Sequence, residues 1–407
     1  MSAVLKDTAF LRAPAVQQLL ALLNLDGEEA RVAGGAVRNA LLGEPVNDVD
    51  IATTALPAEV MRRCADAGLR TVPTGIEHGT VTVIVGGEPF EVTTLRADSG
   101  HDGRRAQVSF GRDWRVDAER RDFTINGLYA AADGTVIDLV GGLKDIETRT
   151  IRFIGDAEQR IREDYLRSLR FYRFFAWYGH GRPDADAVRS TARLKEGLSQ
   201  LSAERVWAEL KKLLSAADPS RALLWMRQSG VLTQVLPESE KWGIDLIHGL
   251  VRAGQELGWA IDPLLRLEAL VPPYDSRLEG LAARLRLSKV ESLRLVEWAK
   301  AGEAKAARTD KMLALELYKG DRQGMTDRLR LAIASAREKG ETKAVEALLR
   351  QMVFAEAYEK PVFPLSGADM LAGGLESGPD VGRRLKQLEE KWMASGFSLT
   401  KAQLLDS

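Results

Sequence analysis

The sequence predicts an α+β chain in which a mixed α/β amino-terminal head is followed by helical segments that fill the remainder. Two observations carry that prediction. Up to about residue 150, short β-branched runs such as "TVTVIV" and "FEVTTL" occur between helical patterns, and Gly86 and Gly87 separate those two runs as a hairpin turn would. Beyond that point, "AEQRIREDYLRSLRFYRFFAWYG", "SAERVWAELKKLLSAAD" and "SRALLWMRQSGVLTQVLP" place apolar residues at helical spacing, with Gly and Pro punctuating their ends. At 407 residues the chain is too long for one ordinary domain. The change of texture sets boundaries near 150 and 235: a head over 1–150, a helical neck over 151–235, and a helical body and tail over 236–407.

Composition narrows the class. No apolar run approaches the ~20 residues a bilayer crossing needs, so no membrane partner is expected. The single cysteine, Cys64, cannot form an internal disulfide, and "MSAVLKDTAF" has no cleavable apolar segment, so a cytoplasmic setting is expected. Net charge is −1, yet residues 277–350 hold 17 Lys and Arg against 11 Asp and Glu. That modest excess fits either solvated helical faces or a surface for a polyanion such as RNA.

In "RVAGGAVRNALLG", a short strand, a glycine turn and a helix start follow one another, so the backbone near Gly34 and Gly35 can approach an anion without Cβ atoms in the way. A tight turn packing helix on strand would use the same residues. The stretch lacks the ending of a P-loop and the third glycine of a dinucleotide fingerprint. In "VNDVDIAT", Asp48 and Asp50 are two apart, which on an extended strand turns both carboxylates to one face. Like charges side by side are unfavourable unless a cation or a shared proton holds them, and Mg²⁺ suits hard carboxylate ligands joined by substrate phosphates. A polar turn is the alternative. Glu91, on the strand expected within "FEVTTL", is a candidate third carboxylate.

An arginine-rich connector over 96–119 then leads to "RRDFTING", and "EDYLR" follows at 163–167. GG-x-VR, D-x-D, RRDFT-x-N and EDYLR, in this order across roughly residues 30 to 235, resemble the class II tRNA nucleotidyltransferase and bacterial poly(A) polymerase family. The resemblance implies a nucleotidyltransferase fold like that of DNA polymerase beta, with Asp48 and Asp50 binding two catalytic Mg²⁺ ions and Glu91 as the third carboxylate. It implies that Gly34, Gly35 and Arg38 hold the triphosphate, that Asp122 contacts the ribose hydroxyls, and that Arg121 and Asn126 complete the nucleotide site. An aspartate that accepts from the 2′-OH favours NTPs over dNTPs, because the latter leave the acceptor unpaired.

Read as one continuous helix, "EDYLR" puts Asp164 and Arg167 on a shared face, with Glu163 four residues from Arg167 to brace its guanidinium. A surface salt bridge is the plain reading. Cytosine and adenine, however, both present an amino donor beside a ring-nitrogen acceptor, so a fixed carboxylate and a fixed guanidinium can select them, and the family is understood to use this pair so. "LSAERVWAEL" resembles a further family element in which Glu204 and Arg205 brace the base-reading helix.

Two positions depart from the family pattern: Asn39 stands where aspartate is usual after "VR", and Tyr165 where proline is usual in "EDPLR". Losing a carboxylate at 39 puts a helix-start or bracing role in doubt rather than the metal site. His78, His101, His180 and His248 form no paired signature, which argues against an appended His-Asp phosphohydrolase.

The function implied is template-independent addition of CCA to the 3′ end of tRNA from CTP and ATP, with release of pyrophosphate and no DNA partner. Poly(A) tailing is a weaker alternative, because the chain ends in "FSLTKAQLLDS" without a strongly basic tail. A CC-adding or A-adding relative is another; CC-adding enzymes are expected to lack a loop corresponding to the 96–119 connector. A non-catalytic RNA-binding protein is disfavoured by the intact carboxylate pair.

Overall fold

The structure, a computed structural model, describes residues 4–5, 7–99, 107–240, 242 and 244–406. His101 and the tip of the connector lie outside the described residues. The chain divides into two compact units, Met1–Val235 and Leu236–Ser407.

The first unit is built on a seven-stranded sheet. Its strands are β1 (Ala30–Ala33), β2 (Asp50–Thr53), β3 (Arg70–Gly75), β4 (Thr80–Val85), β5 (Glu88–Thr94), β8 (Leu128–Ala130) and β9 (Val136–Asp138), in the order β3-β4-β5-β2-β1-β8-β9. A two-stranded ribbon, β6 (Arg96–Ser99) with β7 (Gln107–Phe110), stands apart from it. "TVTVIV" forms β4 with Val81, Val83 and Val85 buried on one face, the period of two that a half-covered strand requires. Gly86 and Gly87 both take positive φ, 59° and 90°, and join β4 to β5 in a two-residue hairpin whose flanking residues Val85 and Glu88 pair.

β2 and β5 pair in parallel, Ile51 opposite Val92, while β2 pairs antiparallel with β1, Asp50 opposite Ala33. This places Glu91, in the middle of β5, next in register to Asp50 at the start of β2. Helices Pro14–Leu23 and Pro57–Asp66 contribute the fully buried Leu19, Leu20, Leu23 and Cys64 to the core.

Helices from Ala157 to Val235 complete this unit. Phe123 joins them to the sheet region, its ring centroid 5.0 Å from those of both Phe153 and Phe174. The structure corrects one expectation here: residues 157–178 form not one helix but two, Ala157–Glu163 and Leu166–Tyr178. Asp164 is extended (φ −156°, ψ 107°), so "EDYLR" straddles a break rather than lying on one helical face.

The second unit is helical throughout its described residues. One core gathers Leu313, Leu329, Ile333 and Leu348, and another gathers Tyr318, Leu388 and Trp392. No helix among the described residues is long and apolar enough to cross a membrane.

Candidate active site

The turn after β1 sets one wall of a cleft. Gly34 adopts φ 61° and ψ −108°, a conformation closed to L side chains, and a Cβ there would lie 3.0 Å from Arg121 Nη1. Helix Gly35–Leu42 begins at once, with no side chain capping its first turn. The Gly34 N–H is not available to an anion, because it donates to the Leu128 carbonyl at 2.9 Å; this narrows the glycine reading to Gly35 and the residues after it.

Arg38 projects from that helix and is buried. Its Nη1 donates to Asn126 Oδ1 at 2.5 Å, its Nη2 to the Tyr178 hydroxyl at 3.0 Å, and its Nε to Asn39 Oδ1 at 3.0 Å. Asn39 in turn donates to the Pro45 carbonyl at 2.8 Å. The neutral amide therefore braces Arg38, the role that the missing carboxylate had put in doubt. Burial pulls the Arg38 pKa down while the Tyr178 hydroxyl and Asp122 oppose that effect.

The segment over 117–126 supplies the floor. Asp117, 1% exposed, accepts from Tyr129 Oη at 2.7 Å, Arg120 Nε at 2.9 Å and Arg121 Nη2 at 3.2 Å. Its burial would raise the carboxyl pKa, but Arg121 and Arg120 hold it below the usual range. Asp122 accepts from Asn126 Nδ2 at 2.8 Å and the Phe123 N–H at 2.9 Å through Oδ1, and from Arg170 Nε at 2.7 Å through Oδ2. Burial again pushes upward, and Arg170 and Asn126 more than offset it.

The helix break supplies the third wall. Asp164 Oδ1 accepts from the Leu166 N–H at 3.1 Å, and its Oδ2 accepts from Arg205 Nη2 at 2.7 Å. Glu163 accepts from Arg160 Nη1 at 2.6 Å and from Arg167 Nη1, which also donates to the Arg160 carbonyl at 2.9 Å. Arg167 is thus clamped from behind. Its Nε and Nη2 have no protein partner among the described residues.

These walls enclose a cavity of about 470 Å³. Among expected residues it is lined by Gly34, Gly35 and Arg38, by Arg121, Asp122 and Asn126, and by Asp164, Arg167 and Arg205. Glu163 sits behind Arg167, and Glu204 is exposed in the first turn of helix Ala203–Leu214; neither is part of the lining. Sequence reasoning missed Arg96, Arg120, Arg170 and Phe174, which also face the cavity, and Asp117 and Tyr178 behind it. One signal was present: Arg167, Arg170 and Arg173 recur every third residue, the spacing of one helical face.

Asp48, Asp50 and Glu91 stand beside this lining rather than in it. β2 begins at Asp50, so Asp48 belongs to the irregular segment before the strand, not to the strand face the sequence suggested. Asp50 is exposed at the start of its strand, yet desolvation by the protein packed around it raises its pKa, Glu91 adds to the rise, Arg121 opposes it, and Asp48 adds a smaller increment. Carboxylates crowded in this way form an all-oxygen donor set that fits a hard divalent cation. Among the described residues no three His, Cys, Asp or Glu side chains close into a metal cage. Mg²⁺ ordinarily takes one or two carboxylates, with substrate phosphates supplying further oxygens.

Comparison with known proteins identifies the family of the chain. A family profile described as "Poly A polymerase head domain" matches residues 30–152, and one described as "Probable RNA and SrmB- binding site of polymerase A" matches residues 184–242. The CCA tRNA nucleotidyltransferase 1, mitochondrial, of Mus musculus is 35% identical over 400 residues, covering 96% of this chain and 88% of that protein. The CCA-adding enzyme of Lacticaseibacillus paracasei is 34% identical, covering 95% of this chain and 94% of that protein. The chain belongs to the CCA-adding tRNA nucleotidyltransferase family.

Solved structures of this family share the architecture. The Bacillus stearothermophilus CCA-adding enzyme in complex with CTP superposes with a TM-score of 0.65 at 28% identity, covering 94% of this chain and 92% of that one. The Thermotoga maritima CCA-adding enzyme complexed with tRNA superposes with a TM-score of 0.67 at 20% identity over 96% of this chain and 93% of that one, a likeness of fold. Membership makes the chain a nucleotidyltransferase of a family that is metal-dependent in general.

Proposed function

We propose that this protein adds CCA to the 3′ end of tRNA without a nucleic-acid template, using CTP and ATP and releasing pyrophosphate. The observation that carries the reading is the meeting, around one cavity, of a fixed acid–guanidinium pair, Asp164 and Arg167, with the Asp122–Asn126–Arg38 chain and the glycine turn. Relatives that cover nearly the whole chain and are named CCA-adding enzymes support it.

Each group has a task that follows from its surroundings. Arg38 and the first turn at Gly35 receive the triphosphate, and Arg121, in the same cavity lining, also acts electrostatically on the Asp50 carboxylate. Asp122, held ionised by Arg170, accepts from the ribose hydroxyls. Asp164 keeps lone pairs for the exocyclic amino group of C or A, while Arg167 donates to the adjacent ring nitrogen. Uracil and guanine present an N–H at that ring position, and the guanidinium meets a donor instead of an acceptor.

Magnesium, two ions held by Asp48 and Asp50 with Glu91 beside them, fits the donor set and would supply Lewis-acid activation of the primer 3′-OH and charge stabilisation at the departing pyrophosphate. Residues 1–150 act as the catalytic head, 151–235 as the neck that carries base selection, and 236–407 as the body and tail that hold tRNA. The modest positive excess over 277–350 suits a shaped RNA better than any polyanion. The buried thiol of Cys64 suits a reducing compartment such as the cytoplasm.

The test uses tRNA transcripts ending at the discriminator base, at C and at CC, each supplied with one NTP at a time. Stepwise incorporation of C, C and A is the expected result. Processive adenylation of an unstructured oligonucleotide would move the assignment to poly(A) polymerase, arrest after two cytidines to a CC-adding enzyme, and binding without incorporation to an RNA-binding protein.

A further inference from the structure

Tyr165 occupies the middle of the helix break, with Asp164 on one side and the helix that carries Arg167 on the other. Its backbone is helical (φ −58°, ψ −21°) while Asp164 is extended, so the two residues of the break take opposite conformations. The Tyr165 ring lies directly on Gly197: a Cβ built on that glycine would fall well inside van der Waals distance of three ring carbons, Cδ1, Cε1 and Cζ.

Gly197 cannot retreat. It is buried in the short 3₁₀ turn Lys195–Gln200, its N–H donates to the Leu194 carbonyl at 3.1 Å, and the adjoining Leu198 is 3% exposed. The turn also packs against helix Val231–Val235. The glycine is therefore a flat seat, fixed in the core, that admits the whole face of a ring.

We infer that the Tyr165 ring seated on Gly197 sets the position of Asp164 and Arg167, which makes both Tyr165 and Gly197 positioning residues for the choice of base. This rests on the base-reading role proposed above for Asp164 and Arg167. The side-chain ion pairs hold the two base readers separately, Arg205 on Asp164 and Glu163 on Arg167, while one backbone bond, from the Arg167 N–H to the Asp164 carbonyl at 3.0 Å, links them across Tyr165. The seated ring anchors the residue between them against the core, so its displacement tilts that turn and shifts one reader against the other. A misplacement on the order of 1 Å is enough to cost up to about a hundredfold in rate.

The experiment measures kcat/KM for all four NTPs on a tRNA ending at the discriminator base, with the full chain and circular-dichroism melts of each variant. Gly197→Ala and Tyr165→Ala are each expected to lower the preference for CTP over UTP by roughly ten- to a hundredfold. Tyr165→Phe, which keeps the ring, retains it. The double variant Gly197→Ala/Tyr165→Ala adds nothing to Tyr165→Ala, because both changes act through one contact. Arg167→Ala is the reference. If Arg167→Ala shifts base choice and neither Gly197→Ala nor Tyr165→Ala does, the seated ring does not position the two readers and the inference is wrong. If Arg167→Ala leaves base choice unaltered, the base-reading assignment itself falls, and this inference with it.

Discussion

Tyr178 lies under Arg38, with the guanidinium carbon 4.3 Å from its ring centroid and its hydroxyl 3.0 Å from Nη2. The two residues are 140 positions apart, so a residue of the helical region holds the arginine offered to the triphosphate. Removing the ring in Tyr178→Ala should raise KM for CTP roughly twofold to thirtyfold, the factor that about 0.5–2 kcal/mol of cation–π contact represents. Tyr178→Phe should recover most of that loss. Steady-state kinetics with CTP as the varied substrate checks both; an unchanged KM in Tyr178→Ala would separate Arg38 from nucleotide binding.

Asp48→Ala and Asp50→Ala should each reduce incorporation by more than the 10–100-fold typical of groups that only support metal ligands. Neither should lower the melting temperature appreciably. For Asp50 the reason is electrostatic: desolvation by the surrounding protein and then Glu91 disfavour its ionised form, so removing this exposed carboxylate relieves repulsion. A variant that unfolds, or one with a near-normal rate, would contradict the metal assignment.

Asp122→Ala should narrow the preference for NTP over dNTP by about tenfold or more, since a hydrogen bond to a charged acceptor is worth roughly 1.5–3 kcal/mol. It also leaves Arg170, whose guanidinium Nε donates to Asp122 at 2.7 Å, with the more distant Glu209 at 3.8 Å as its counter-charge, so some loss of stability accompanies it. The ratio of kcat/KM for CTP and dCTP is the readout, and an unchanged ratio would leave Asp122 as an anchor for Arg170 alone.

Asp117 predicts a pH dependence of stability. Its folded pKa lies below its unfolded value of about 3.9, so its contribution is present above that pH and is lost as pH falls through the lower folded value. Asp117→Asn should therefore be less stable at pH 7, by up to about 3 kcal/mol because the half-buried Arg120 and Arg121 lose their buried counter-charge, and its acid limb should be flatter. Urea unfolding from pH 7 to pH 3 measures both quantities. Parallel acid limbs for the two proteins would remove Asp117 from the account.

Glu268, in the second unit, predicts the opposite sign. It is 1% exposed, and neither carboxyl oxygen has a hydrogen-bond partner among the described residues. Burial, and then the fully buried Asp327, push its pKa well above the ordinary value. The folded chain keeps a proton that the unfolded chain releases near pH 4.3, so stability falls as pH rises toward the folded pKa. Glu268→Gln should melt higher than the parent at pH 8 and nearly with it at pH 4. A lower melting temperature at pH 8 would mean that the ionised carboxylate is stabilised by its neighbours.

Short-range patterns were legible in the chain itself. The alternating valines of β4, the Gly86–Gly87 hairpin and the strand–glycine–helix turn at Gly34 are written locally, because each depends on side-chain period or on a φ open to glycine. The order of GG, D-x-D, RRDFT and EDYLR marked Gly35, Arg38, Arg121, Asp122, Asn126, Asp164 and Arg167, and the fold brings all seven to one cavity. What no local pattern held was decided by distant pairing. Parallel pairing of β2 with β5 sets Glu91 beside Asp50, and Arg170 reaches Asp122 across 48 positions. Asp164 leaves the helix that its periodicity implied, because Arg205, 41 positions on, and the seat at Gly197 stabilise a break there. A period records which face a residue turns inward; which partner meets it is fixed only when separate elements pack and buried charges must find counter-charges.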